Sequence, residues 1–359
     1  MISQAARARA AALRDHFAAQ GAQVVEPPIL QDAGTLLDLY GEDIRARAFV
    51  TTDAVRGEQM LRPDFTVPVV QMHMESGANP TRYTYAGEVF RRQDDHPDRA
   101  SEYLQVGFEL MGGTDPAADD AEVFALMAEV AAPLNLRAAT GDIGILMAAV
   151  GGLRTTEARR AALARHIWRP RRFRALLDRF AGRRPVPPAR AALLEDVEPL
   201  RGAKPMIGLR TLGEIDARIT TLHADAQAQP LSETELDLIT ALLDVRETVP
   251  YALSRLRDLA IDMPAIATAV DRLAARADAL AARGIDTEAL DFEASYGRTS
   301  MEYYDGFVFG FHAASRPDLP PIASGGRYDA LTARLGDVAV PSVGAVLRPG
   351  LMTDLEAGQ

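Results

Sequence analysis

The chain has 359 residues, a length typical of two domains or of one large domain with an insertion. Hydrophobic residues make up 48% and charged residues 25%, which is enough apolar side chain for a large core and excludes intrinsic disorder. The net charge of −11 disfavours bulk binding to nucleic acid, and the lack of cysteine excludes disulfides and thiolate sites. Because no long uncharged apolar run occurs, at the N-terminus or elsewhere, we expect a cytoplasmic protein without a membrane span.

The first part of the sequence mixes helical and strand patterns. Leu13 and Phe17 lie on one apolar stripe at helical spacing within residues 2–20, and Gly21 is a natural stop for that helix. The patterns that follow predict a strand at 22–30 ending at a proline pair, a short helix at 35–41, a hairpin over 48–63 and a helix at 66–77.

A long hairpin comes next. Residues 81–93 and 101–113 are rich in aromatic and β-branched side chains, and the polar stretch 94–100, which includes His96, predicts the loop between them. Residues 117–135 then read as a helix with Asp119 or Asp120 near its start, followed by a strand at 136–145.

The middle of the chain changes character. Over residues 147–283 apolar residues recur every three or four positions, which predicts a mostly helical module. Strand patterns return at 289–295 and 303–313, then a turn with a short helix at 320–336, and a last strand at 341–347. Strands on both sides of a helical block predict an α+β fold, with a core in two parts (1–146 and 284–359) and a helical insertion at 147–283.

Four stretches, in order, resemble the catalytic core of a class II aminoacyl-tRNA synthetase, specifically histidyl-tRNA synthetase. They are LRPDFTVP (61–68), the hairpin YAGEVFRRQ…YLQVGFELMGG (85–113), MEYYDGFVFGF (301–311) and GGRYDAL (325–331). Pro28 matches the interface proline of that family's motif 1. The resemblance implies a mostly antiparallel sheet flanked by helices.

The resemblance also implies a pocket for free histidine. Asp64, Thr66 and Gln105 match the acceptors for the ammonium group. Glu109 and Tyr304 match the partners of the imidazole, with Tyr303 and Tyr328 nearby. Since Gln105 and Glu109 are four residues apart on a predicted strand, both side chains point to one face. The alternative interpretation is that these polar groups only satisfy one another inside a sheet.

The catalytic motifs depart from the family. Arg91 matches the motif 2 arginine that contacts the α-phosphate, but Gln93 stands where the family has glutamate. At motif 3, Gly350 and Leu351 replace the glutamate and the ATP-binding arginine. A further family arginine falls at Thr299, with an arginine displaced by one position. Adenylation depends on fixed cations around the phosphate, so we expect a site that binds histidine without activating it and has no catalytic residue.

The sequence ends shortly after motif 3, so we expect no anticodon-binding domain. This pattern of losses is similar to that of the synthetase-like regulatory subunits of ATP phosphoribosyltransferase. The resemblance implies a non-catalytic subunit that binds histidine as a feedback effector. It also implies a short catalytic subunit as partner, in a hetero-oligomer built on a dimer of this chain. We expect no cofactor, and the histidines show no metal-ligand spacing.

The segment 164–185 leaves alternatives open. It contains eight arginines between 165 and 184 against one acid, Asp178, with Trp168, Phe173 and Phe180 among them. The pattern is typical of an amphipathic helix with a cationic face, which could also dock an acidic partner, or of an RNA-binding surface. Two other functions therefore remain: a diverged synthetase-like enzyme, tested by histidine-dependent pyrophosphate exchange, and an RNA-binding regulator, tested by a salt-sensitive gel shift with tRNA.

Overall fold

The computed structural model describes residues 2–40, 42–76, 78–93, 98–201, 207–299, 302–336 and 338–358. Most of the predicted hairpin tip, including His96, and Met301 of the third motif lie outside these residues. None of the helices in the described ranges is both long and apolar enough to cross a membrane.

Twelve strands in the described residues form two sheets. They are β1 (Gln23–Val24), β2 (Leu30–Asp32), β3 (Val50–Asp53), β4 (Gly57–Leu61), β5 (Thr81–Phe90), β6 (Glu102–Met111), β7 (Arg137–Asp142), β8 (Arg246–Thr248), β9 (Asp291–Glu293), β10 (Phe307–His312), β11 (Ala323–Arg327) and β12 (Ser342–Leu347). The large sheet has the order β1-β5-β6-β12-β11-β10-β7-β9-β8, and the small sheet β2-β4-β3. Only the pairs β1–β5 and β7–β9 are parallel, which confirms the predicted α+β class with a mostly antiparallel sheet.

Helices flank the large sheet. Those in the described residues are α1 (Gln4–Ala19), α2 (Ala33–Tyr40), α3 (Thr66–Ser76), α4 (Pro116–Ala131), α5 (Ile143–Gly151), α6 (Glu157–Arg165), α7 (Pro170–Phe180), α8 (Pro188–Glu195), α9 (Leu212–Gln227), α10 (Glu233–Leu243), α11 (Val249–Asp262), α12 (Ala267–Ala282), α13 (Asp329–Leu335) and α14 (Pro349–Ala357). Apart from β8, the regular elements in the described part of residues 147–283 are all helices, whereas the division of the chain into domains at these residues stays a prediction.

The two faces of the large sheet differ in polarity. On one face Phe108 of β6 meets Phe17 of α1, and Phe309 of β10 meets Phe124 of α4, with ring centroids 5.6 and 5.1 Å apart. Because successive strand residues alternate in direction, the neighbouring position Glu109 points to the opposite face. Helices α1 and α4 therefore close the apolar core and leave the other face for polar side chains.

Most predicted elements are confirmed, with different lengths. The helix at 2–20 is α1, and the long hairpin is β5 with β6. The predicted strand 22–30 is shorter, since only Gln23–Val24 pairs in the large sheet before the proline pair. Proline lacks the N–H that a ladder needs, so the chain leaves the sheet at Pro27.

Three predictions were wrong in detail, and one helix was missed. The strand predicted over 136–145 ends at Asp142, whose side chain accepts a hydrogen bond from the Gly144 N–H and begins α5. The strand predicted over 303–313 begins only at Phe307, and α14 was not predicted. The turn predicted at the GGRY motif is strand β11, whose glycines lie where neighbouring backbone and the Tyr304 ring come too close for a Cβ.

A buried ion network ties α12 to the sheet. The Arg276 guanidinium contacts Asp120 of α4 at 3.3 Å and is also hydrogen-bonded to Asp142. Arg327 of β11 donates to the other Asp120 oxygen at 2.9 Å and to Asp329 at 3.0 Å. All these groups except Asp329 are at most 8% exposed, so the charges are compensated within the network.

Candidate functional site

A cavity of about 980 Å³ opens on the polar face of the large sheet. Its walls come from the start of α3, the ends of the β5–β6 hairpin, strands β10 to β12 and the segment after β9. Six of the eight predicted site residues line it: Asp64, Thr66, Arg91, Gln105, Tyr303 and Tyr304. The other two, Glu109 and Tyr328, lie directly behind this lining.

One end of the cavity offers hydrogen-bond acceptors. Asp64, Thr66 and Gln105 are at most 5% exposed and line the cavity together. The Gln105 Oε1 atom is buried and accepts no hydrogen bond from any residue that the structure describes. A buried acceptor without a donor is costly, so this end suits a ligand that brings N–H groups, such as an ammonium ion.

Glu109 is held by three hydroxyl groups. Its Oε1 accepts from Tyr85 at 2.8 Å and from Thr66 at 3.1 Å, and its Oε2 accepts from Tyr328 at 2.5 Å. Burial raises the pKa of Glu109 to about 7, although these hydroxyl donors act in the opposite direction. The nearby Asp64 also raises the pKa. The carboxyl group is therefore balanced between its neutral and charged forms near neutral pH.

The local sequence makes room for this carboxyl group. Gly344 of β12 pairs with Glu109 across the sheet, and a Cβ at that position would overlap the Glu109 Oε2. Gly107 lies opposite Tyr85 in the β5–β6 ladder, and its missing side chain leaves space for the tyrosine ring. Tyr85 was not among the predicted site residues, because it lies on the strand that faces Glu109 only after the hairpin has formed.

Aromatic rings form the wall beside Glu109. The rings of Tyr303 and Tyr304 have centroids 5.0 Å apart, and those of Tyr303 and Tyr328 are 5.9 Å apart, each pair edge to face. Burial raises the pKa of Tyr304, and the nearby carboxyl groups of Glu109 and Asp64 raise it further. The Tyr304 hydroxyl group consequently stays protonated and can donate a hydrogen bond at neutral pH.

Another part of the cavity lining is cationic. Arg91, whose Nε donates to the Pro63 carbonyl at 2.7 Å, shares the lining with Arg348. Burial lowers the pKa of Arg348, and the neighbouring Arg91 lowers it too. Three further arginines also line the cavity: Arg47, Arg92 and Arg99. The sequence comparison of motif 3 missed Arg348 as a lining residue, because its position in the motif is three residues from the family's arginine.

Arg298, by contrast, turns away from the cavity. Its Nε donates to the Ile167 carbonyl at 2.9 Å, and its guanidinium lies 4.9 Å from the Phe173 ring centroid. The neighbouring Thr299 lines the cavity instead. In sequence, Arg298 lies one position before the family's arginine. In the structure, its side chain points away from the cavity.

A tyrosine–histidine pair forms a further part of the cavity lining. The Tyr296 hydroxyl lies 3.0 Å from His312 Nε2, and both residues line the cavity. Burial lowers the pKa of His312, and the charges of Arg348 and Arg137 lower it further. Alternation along β10 could have indicated that His312 shares a face with Val308, but nothing in the sequence places Tyr296 beside it.

Known proteins resemble this chain along nearly all of its length. A family model described as histidyl-tRNA synthetase matches residues 2–349. Relatives from Brucella ovis and Brucella abortus, each named ATP phosphoribosyltransferase regulatory subunit, are 33% identical. The alignment covers 93% of this chain in both, and 93% and 92% of the two relatives.

Solved structures share the fold at lower identity. A Bacillus halodurans structure described as an ATP phosphoribosyltransferase regulatory subunit/histidyl-tRNA synthetase has a TM-score of 0.66 at 22% identity, covering 98% of this chain and 78% of that one. A histidine–tRNA ligase subunit from Alicyclobacillus acidocaldarius has a TM-score of 0.62 at 22% identity, covering 99% and 94% of the two chains.

Proposed function

Because the chain belongs to the histidyl-tRNA synthetase family, and within it to the ATP phosphoribosyltransferase regulatory subunits, we propose that it is a regulatory subunit of that enzyme in histidine biosynthesis. In this proposal the chain binds free histidine in the cavity and transmits feedback inhibition to a separate, short catalytic subunit in the cytoplasm. The chain itself carries no catalytic residue and needs no cofactor.

The observation that carries the proposal is the unequal preservation of two sets of residues, the expected histidine contacts and the expected ATP contacts. The acceptors expected for a histidine ammonium group, Asp64, Thr66 and Gln105, line it together, and Gln105 Oε1 has no donor in the described residues. Glu109 lies behind Thr66, where an imidazolium would keep it charged. By contrast, Gln93, which lines the cavity, and Leu351 of α14 differ from the family's ATP contacts.

Self-association of the chain is part of the proposal. Five apolar side chains near Pro28 and on the small sheet are between 38% and 45% exposed: Val24, Ile29, Leu30, Phe49 and Val50. Exposed apolar side chains are frequent at protein interfaces, and the family's motif 1 proline falls in the same region. We therefore infer a dimer of this chain within a hetero-oligomer with the catalytic subunit.

The test combines binding and turnover. Histidine titrated into the isolated chain should release a saturable heat, and the isolated chain should make no phosphoribosyl-ATP from ATP and phosphoribosyl pyrophosphate. Addition of the chain should change the turnover of the catalytic subunit and make it sensitive to histidine. Turnover by the isolated chain, or a complex that histidine does not inhibit, would contradict the proposal.

One observation favours a second function, a diverged histidine-activating enzyme. Arg348 lines the cavity beside Arg91. The cavity therefore carries a second arginine near Arg91, although motif 3 lacks the family's arginine in sequence. The Arg348 guanidinium is, however, hydrogen-bonded to the Pro321 carbonyl. Loss of one group that stabilises transition-state charge, such as the motif 3 arginine, typically raises the activation free energy by about 3 to 4 kcal/mol. A histidine-dependent pyrophosphate exchange rate close to that of a normal synthetase would favour this function.

A further inference from the structure

The solvent side of α7 carries arginines that the described residues do not neutralise. Phe173, Leu177 and Phe180 point into the core, which leaves the opposite side of the helix exposed. Arg171 and Arg172 lie on this side and make no hydrogen bond or ion pair with any residue in the described ranges. This patch is positive although the chain as a whole has a net charge of −11.

The position of these arginines on the helix adds to the positive charge. α7 begins at Pro170 without a side-chain cap, and its first turn contains no acidic residue. The free N–H groups at a helix N-terminus carry partial positive charge, so arginines are unfavourably placed there. An anion bound at this end would interact favourably with the arginines and with the partial positive charge of the helix N-terminus.

A buried arginine beneath α7 also has no acidic partner among the described residues. Arg298 is 6% exposed and packs against Phe173, one turn into the helix. Its Nη2 is buried and has no hydrogen-bond acceptor among the described residues. Burial lowers its pKa to about 10, and repulsion by the nearby Arg174 contributes. The exposed arginines at the start of α7, namely Arg171, Arg172 and Arg174, therefore form a cationic surface that no acidic residue in the described ranges neutralises, and Arg298 lies buried beneath it.

This cationic surface lies next to the mouth of the histidine cavity. Arg169, the residue before α7, forms an ion pair of 3.5 Å with Glu302. Glu302 lines the cavity and precedes Tyr303 of the aromatic wall. A molecule bound at the start of α7 would thus contact the element that holds one wall of the cavity.

We propose that the cationic surface at the start of α7 docks an acidic face of the catalytic subunit. The inference rests on the proposed function, because it presupposes that partner. A compact acidic protein face fits the surface better than a nucleic acid does. The surface is short and is bordered by Glu302, and the net charge of −11 repels an extended phosphate backbone.

The test compares two double charge reversals in the full-length chain. Arg171→Glu with Arg172→Glu alters the surface, and Arg257→Glu with Arg272→Glu is the matched control on the exposed sides of α11 and α12. Affinity for the short catalytic subunit is measured by calorimetry at two salt concentrations, with histidine binding to each isolated variant as a folding control. We expect the first variant to lose about tenfold or more in affinity and to have a weaker salt dependence, and the control to stay within about twofold.

The milder pair Arg171→Gln with Arg172→Gln should give an intermediate loss, which a misfolded variant would not. The proposal is overturned if the glutamate variant binds the catalytic subunit as wild type does. It is replaced by an RNA-binding surface if that variant loses only a salt-sensitive gel shift with tRNA. If the wild-type chain binds histidine but not the catalytic subunit, both this inference and the proposed partnership fail.

Discussion

At the scale of single residues, the proposed recognition of histidine depends most on Glu109. A buried carboxyl group with three hydroxyl donors and a pKa near 7 can exist in either protonation state at little cost. A neutral ligand group would meet a carboxylic acid, and a cationic one would meet a carboxylate. An imidazole, which titrates in the same range, is a suitable partner for such a group.

We expect Glu109→Gln to weaken histidine binding by about 1.5 to 3 kcal/mol, because the change removes a charged partner of the imidazole. Tyr304→Phe should cost less, about 0.5 to 1.5 kcal/mol, because one neutral hydrogen bond is lost. Calorimetry on the isolated chain measures both. Glu102→Gln, at the exposed start of the same strand, is the control and should leave affinity unchanged. Unchanged affinity and inhibition in Glu109→Gln would place the regulatory site elsewhere.

Histidine affinity should pass through a maximum near pH 6.8. The free Glu109 loses its proton at about pH 7, and free imidazole gains one below about pH 6.5. A bound pair that shares one proton must release a proton at low pH and take one up at high pH. Affinity should therefore be about tenfold lower at about pH 5 and pH 8.5. A flat profile measured by calorimetry between these values would show that the pair does not form.

At the scale of elements, strand β12 shapes the site without contributing a functional side chain to it. Its glycine at position 344 leaves free the space over the strand that the Glu109 carboxyl group occupies, while its other residues continue the ladder between β6 and β11. Close backbone approach of this kind is a common reason for glycine within a strand.

Gly344→Ala should destabilise the protein by about 1 to 3 kcal/mol and impair histidine binding, because the new methyl group overlaps Glu109. Gly350→Ala in α14 is the control, since no heavy atom lies within 4 Å of its Cβ position. That change should be neutral or stabilising by up to about 1 kcal/mol. Urea denaturation measures both, and equal stabilities would contradict the assigned role of Gly344.

The ion network that joins α12 to the sheet gives a second prediction at this scale. Arg276→Met leaves Asp142 and Asp120 buried with less compensating charge, and should lower the free energy of unfolding by about 3 to 5 kcal/mol. Arg272→Met, on the exposed side of the same helix, should change it by less than about 0.5 kcal/mol. A small effect of Arg276→Met in urea denaturation would mean that packing, rather than charge, holds α12 in place.

At the scale of the whole molecule, feedback requires that histidine bind the inhibited complex more tightly than the active one. Typical coupling free energies are about 1 to 3 kcal/mol. We expect substrate binding to the catalytic subunit to lower the histidine affinity of the complex by the same factor by which histidine lowers substrate affinity. Paired titrations test this equality. Substrate-independent histidine affinity, alongside inhibition, would show that histidine acts on turnover and not on substrate binding.

The sequence by itself determined the class of the fold and the direction of several site residues. Period-two and helical patterns separate strands from helices, and the spacing of Gln105 and Glu109 places both side chains on one face of β6. These properties depend on neighbours within a few positions along the chain, so they can be predicted without knowledge of the packing.

Only the tertiary structure decided the surroundings of those residues. The GGRY motif is a strand because β10 and β12 flank it, and Glu109 meets Tyr85 and Tyr328 only after distant strands pair. Arg348 lines the cavity and Arg298 points away from it, although both lie close to family arginine positions in sequence. Long side chains turn toward whichever carbonyls and rings the packed fold offers, and no local pattern encodes that choice.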